Sequence, residues 1–153
     1  MPKIDIETLE WHSGSGYPAP LDEITKRRHK RRLGDAVGLD QFGVNITRLE
    51  PGAGSALRHW HEKEDEFVYV LSGEVVLIED EGEALLKSGE AAGFKAGIEN
   101  GHQLVNRSTE DAIVLEVGTR APTERGHYPD DDLLATKSAD GFSFTHKNGT
   151  PYS

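Results

Sequence analysis

At 153 residues the chain has room for one domain with a proper core and is too short for two ordinary ones. Hydrophobic residues make up 35% and charged residues 29%, and a formal net charge of −10 argues against general nucleic-acid binding, which depends on neutralising phosphates with Lys and Arg. There is no cysteine, no apolar run near the roughly 20 residues of a membrane span, and no apolar signal region after Met1. Disulfides, thiolate ligands and a membrane role are therefore set aside, and a cytoplasmic location is expected.

Residues 1–40 read as an arm. Ser13-Gly14-Ser15-Gly16 and Tyr17-Pro18-Ala19-Pro20 interrupt regular structure, and Trp11, Tyr17 and Leu21 are the apolar anchors available to tie the arm down. Within it, Lys26 to Arg32 reads Lys-Arg-Arg-His-Lys-Arg-Arg. Without those six cations the remainder would carry −16, from 27 acids and 11 bases. Such a run suits a nucleic-acid or membrane patch, but in so acidic a chain the favoured reading is pairing with its own acids or a second subunit's. From Phe42 onward Phe42, Val44 and Ile46 alternate with Gly43, Asn45 and Thr47, the period of a half-buried strand, so a β-core is expected over residues 41–120.

The stretch from Pro51 to Gly73 carries the chemistry. His59 and His61 are two apart, and in an extended strand such residues project from one face, so both imidazoles can reach one ion; Trp60 between them points away and packs outside. A charged turn, Glu62 to Asp65, leads to Glu66, which opens the apolar strand Phe67 to Leu71. Glu62, Glu64 and Asp65 compete with Glu66 as the carboxylate ligand, and the strand that follows favours Glu66. Turns at Gly73-Glu74 and at Glu79 to Gly82 separate strands at Val75 to Ile78 and Ala84 to Lys87. A Gly-rich stretch, Gly89 to Asn106, then ends in a strand carrying His102, the fourth ligand if that strand lies beside the first pair. Asn106 to Asp111 is a polar turn, with Asn106 a hydrogen-bonding residue, and Ala112 to Val117 is strongly β-prone. Residues 121–153 read as an irregular extension packed on the core, with Gly141 to Phe144 a last short strand. Short strands between turns, without helical periodicity, favour an all-β sandwich or barrel.

The two stretches resemble the two consensus motifs of the cupin superfamily. His-x-His, Glu and Gly of the first motif fall on His59, His61, Glu66 and Gly73; Gly89, Gly97, His102 and Asn106 match the second. The motif's leading Gly falls on Ala53 and its Pro on Lys95, and the gap from Gly97 to His102 is two residues longer; these departures lie in turns. The phrasing around the motifs is also similar to a group of small bacterial cupins. The resemblance implies a single double-stranded β-helix, or jelly-roll barrel, with His59, His61, Glu66 and His102 holding a divalent ion of Mn, Fe, Ni, Co or Zn.

His12, His29, His127 and His146 lie outside the motifs and read as non-ligands, and Lys95 reads as a solvent-facing turn residue near the pocket mouth. Four protein ligands leave about two positions of an octahedral ion open, and with one carboxylate among them the loaded site is net positive. A small carboxylate or sugar derivative is the expected ligand. Two classes of function follow: a metal-dependent isomerase, lyase or oxygenase, or a non-catalytic module binding a small molecule or metal. Open sheet edges, with the arm as cover, also predict a homodimer.

Overall fold

A computed structural model describes residues 2–152. Its strands are β1 (His12–Ser13), β2 (Arg28–Arg32), β3 (Phe42–Leu49), β4 (Trp60–His61), β5 (Glu66–Ser72), β6 (Glu74–Glu79) and β7 (Gly82–Lys87), followed by β8 (Ala91–Phe94), β9 (Gln103–Val105), β10 (Ala112–Thr119), β11 (Glu124–His127), β12 (Leu134–Ser138) and β13 (Gly141–Thr145). Three antiparallel sheets result, ordered β1-β2-β3-β10-β5-β8, β13-β12-β11-β4 and β7-β6-β9. The all-β class expected from the strand spacing is the class observed, and it is consistent with the jelly roll that the resemblance implies. Among the described residues no helix is long and apolar enough to cross a membrane.

The inner face of the six-stranded sheet packs on the three-stranded one. Leu49, Val70, Val75, Ala112 and Val114, from β3, β5, β6 and β10, are wholly buried in one apolar cluster that also takes in Leu77, Leu86 and Leu104. The chain crosses between these sheets at Gly73, where φ is +74° and a Cβ would lie 2.7 Å from the Asp111 carbonyl oxygen, so a side chain is excluded twice over. Asn106 closes the same end: its amide nitrogen donates to the Leu49 and Glu110 carbonyls at 2.8 and 2.7 Å, and its oxygen accepts from the Ser108 N–H and hydroxyl.

Two features depart from the sequence reading. The residues taken as an arm contribute β1 and β2 to the large sheet, β2 pairing in register with β3 from Arg28↔Leu49 to Arg32↔Asn45. The β3 edge is thus covered by the same chain. The basic run is a strand whose residues alternate: His29 pairs with Glu50 at 2.6 Å and Arg31 lies over the Trp11 ring, while Arg28 and Lys30 turn into the barrel. The polarity of β3 is also reversed from the usual pattern. Thr47 and Leu49 face inward and are buried, Gly43 and Asn45 line a cavity, and Phe42 is exposed on the outside. The interior at that end of the barrel is an open space with polar walls, so the alternation is kept and its sides are exchanged.

A second, smaller core lies under the C-terminal sheet. Leu133, Ala135 and Tyr128 are buried there, joined by Tyr17 and Leu21 from the N-terminal segment and by Phe144. Residues 121–153 therefore form three strands, of which only the last was legible beforehand, and β11 pairs directly with β4.

Candidate metal centre

Four elements bring the site together. His59 makes an isolated antiparallel bridge with His102, so the Gly-rich stretch does lie beside the His-x-His segment. His61 is held on β4 opposite Gly126 of β11, and Glu66 opens β5 between Phe94 and Gly118 on its two neighbours. Paired residues share a face, so Phe94 and Gly118 point inward with Glu66. Phe94 lies flat on His102, ring centroids 3.6 Å apart and planes 1° from parallel, which fixes that imidazole. Arg58 braces the bridge from outside, donating to Asp130, Asp80 and the Gly101 carbonyl.

All three imidazoles direct Nε2 at one carboxylate. The His61 and His102 Nε2 atoms lie 2.6 and 2.5 Å from the two oxygens of Glu66, and His59 Nε2 is 3.5 Å from Oε1. His59, His61 and Glu66 each place one donor atom within 4.8 Å of the others. His59 Nδ1 donates to the Leu57 carbonyl at 2.7 Å, a bond whose neutral tautomer puts the lone pair on Nε2, facing a carboxylate oxygen. Two acceptors facing each other repel unless a proton or a cation lies between them. The ring Nδ1 atoms of His61 and His102 are buried without hydrogen-bond partners, so the side chains are committed through Nε2. This donor set, nitrogen-rich with one hard oxygen, suits a divalent transition ion.

The electrostatics of the metal-free cluster agree. Burial pushes the Glu66 carboxyl up, but the three imidazoles around it, His102 foremost, outweigh that and hold the group well below the usual carboxylate range. Burial lowers His61, yet Glu66 wins and its pKa is raised; in His102 burial prevails and the pKa is lowered. One carboxylate can neutralise one imidazolium and not three.

The competing acids are engaged elsewhere. Asp65 accepts from the Ala96 N–H and Lys95 Nζ, Glu62 pairs with His127, and Glu64 takes Lys137 and the Ala121 N–H. Lys95 is 73% exposed, as a solvent-facing turn residue should be. Trp60 stacks on His127 outside the site, centroids 4.3 Å apart. His29, His127 and His146 each pair with a carboxylate away from the cluster, and His12 is exposed. A second cluster, His61 with Glu64 and Glu124, is structural in character, because the buried Glu124 carboxylate accepts backbone N–H groups of Glu62, Lys63 and Arg125.

The cluster opens on a cavity of about 350 Å³ inside the barrel, reached by His59, Glu66 and His102, and a smaller one of about 220 Å³ touches His61 and His102 from the other side. Glycines supply much of the room. Gly43, Gly118 and Glu66 stand in one row across β3, β10 and β5, so two of the three inward positions at that level carry no side chain.

Fold and donor set together define a small barrel of the cupin superfamily, to which this chain belongs; the cupin domain family matches residues 45–118. Among solved structures, a sugar phosphate isomerase of the cupin superfamily from Silicibacter pomeroyi is 50% identical over 99% of this chain and 97% of its own, with a TM-score of 0.95. A candidate sugar phosphate isomerase from Acidithiobacillus ferrooxidans is 28% identical, covering 82% of this chain and 80% of its own, with a TM-score of 0.74. A Thermotoga maritima protein predicted to be an oxalate decarboxylase is 20% identical over 78% of this chain and 99% of its own; its TM-score of 0.63 speaks to the fold alone. No curated protein matches the chain.

Proposed function

We propose that the chain is a metal-dependent isomerase of a small sugar phosphate, with His59, His61, Glu66 and His102 as the metal ligands. The observation that carries this reading is the convergence of three Nε2 atoms on Glu66 at the wall of a cavity roomy enough for a monosaccharide derivative. The resemblance to the Silicibacter pomeroyi protein supplies the substrate class. A divalent ion held there would polarise a bound carbonyl or hydroxyl oxygen as a Lewis acid.

The chain's own groups supply the rest. Aldose and ketose differ only in the position of hydrogens on adjacent carbon and oxygen atoms, so the reaction needs no oxidant and no second substrate, only a group that moves a proton. Glu64 and Glu116 are the cavity's carboxylates besides Glu66, and each is oriented by a lysine, Lys137 at 2.6 Å and Lys30 at 2.9 Å. They are the candidates for that transfer. Phe94 and the Gly43–Gly118 row set the shape of the space beside Glu66.

The test combines metal analysis with turnover. Protein purified without added metal should contain a divalent transition ion, and His61→Ala or His102→Ala should lose most of it. Metal-loaded protein incubated with aldose and ketose phosphates in deuterated water should exchange or interconvert the C1 and C2 positions by NMR. Full metal content in both variants would refute the ligand set; sugar phosphate bound without interconversion would leave a binding module.

A homodimer is also proposed, now on different grounds from sheet edges. Phe67, Tyr69 and Leu71 of β5 are exposed in a row on the outer face of the large sheet, beside Leu115 and Val117 of β10. Such a stripe is costly in water and suits a second copy of the sheet. Tyr69→Lys should shift the mass seen by light scattering to that of a monomer, and a monomeric parent protein would dismiss the idea.

A further inference from the structure

The basic run, Lys26 to Arg32, has an inward half that the metal site does not use. Inside an acidic chain of net charge −10, the main cavity is lined by four cations, Arg28, Lys30, Arg120 and Lys137, against three carboxylates. Arg120 and Lys137 are paired with Asp35 and Glu64, and Lys30 shares Glu116 with the Thr47 hydroxyl. Arg28 differs. Its guanidinium donates to two backbone carbonyls, Ser55 and Gly14, both at 2.7 Å, and has no carboxylate within 4.0 Å among the described residues. The carbonyls fix its orientation without cancelling its charge. Its Nε–H is buried and unpartnered, and Asn45, whose amide nitrogen can donate to an oxyanion, lines the same cavity.

Building on the sugar phosphate reading above, the geometry points to Arg28, Lys30 and Asn45 as the subsite that takes the phosphoryl group, with the sugar oxygens turned toward Glu66 and the histidines. A partly buried arginine with no carboxylate in direct contact costs free energy that an oxyanion would offset. The planar guanidinium offers N–H groups in a fixed fork, the arrangement that matches a phosphoryl group, and Lys30 adds a movable point charge. Burial lowers the Arg28 pKa by more than the charge of Glu116 across the cavity raises it, yet arginine stays charged at any working pH. The period of two in β2 explains the dual use of one basic run: His29 and Arg31 fasten the outer face, and Arg28 and Lys30 serve the interior.

The experiment compares ribose 5-phosphate, inorganic phosphate and ribose by calorimetry in phosphate-free buffer. The parent protein should bind ribose 5-phosphate at least ten-fold more tightly than ribose. Lys30→Met and Asn45→Asp, the second adding a negative charge with no change of size, should each erase that preference while leaving the thermal unfolding profile cooperative. Arg28→Gln should do the same, and the other two variants keep the test decisive if loss of the Gly14 and Ser55 contacts prevents folding. Metal-depleted His61→Ala should retain the preference. Equal affinity for the two sugars in the parent, or an unchanged preference in Lys30→Met and Asn45→Asp, would overturn the assignment. Loss of the preference in His61→Ala would place the phosphoryl group on the metal and overturn it too. A preserved preference with no isomerisation would instead refute the catalytic reading and leave the subsite standing.

Discussion

Strands β3, β5 and β10 each run from a packed end of the barrel to an open one. At the packed end their inward residues are Leu49, Val70, Ala112 and Val114, all without solvent exposure and in contact with β6. Two to six residues further along the same strands stand Asn45, Gly43, Glu66, Glu116 and Gly118, which face the cavity. The hydrogen-bonded ladder is continuous through both regions. One backbone frame thus anchors stability at one end and holds chemistry at the other, and the apolar end fixes the strand positions on which the donor geometry depends.

Substitutions should separate the two ends. The largest effect on stability belongs to the packed end: Leu49→Ala should cost roughly 3 kcal/mol, because it removes a fully buried side chain and leaves a cavity, while metal content per folded molecule stays unchanged. Chemical denaturation with elemental analysis checks both halves. At the open end the pattern should invert. Glu66→Gln should remove the metal, and its effect on the stability of metal-free protein should be smaller than that of Leu49→Ala, since an amide can still meet His61 and His102. A variant of either end that moved both quantities equally would break the distinction.

The smallest effect expected concerns the outer brace. The hydrogen bond from Arg58 lowers the Asp130 pKa from the ordinary 3.8. A carboxylate depressed in the folded state contributes stability that is present above its unfolded pKa and is lost as pH falls through the folded one. Acid unfolding of Asp130→Asn should therefore differ from the parent near pH 5 and converge with it at lower pH. The difference should stay under about 1 kcal/mol, because Asp130 is largely exposed and solvent screens the pair.

Much of the site was legible because its signals are short-range. His59 and His61 two apart, Glu66 at a strand start and Asn106 at a turn are each dictated by a few neighbouring residues, and all four stand where that logic puts them. The β3 orientation was not legible. Phe42, Val44 and Ile46 have the spacing of one strand face, but spacing cannot say which face looks inward when the interior is partly a polar cavity. Nor was the use of the basic run. Seven adjacent residues of similar charge carry no visible period, and only pairing of β2 with β3 divides them between Trp11 outside and the cavity inside.

The sequence by itself determined the all-β class, the turns, the four candidate donors and the positive excess in Lys26 to Arg32, because periodicity, glycine placement and residue chemistry act over a few positions. Tertiary structure alone decided that His102 bridges to His59, that Phe94 and Arg58 hold the bridge, that β11 supports β4, and that Arg28 lies in the barrel held by two backbone carbonyls. Arg28 and Ser55 are 27 positions apart and His61 and Gly126 are 65 apart, and only the closing of the sheets brings such pairs within reach.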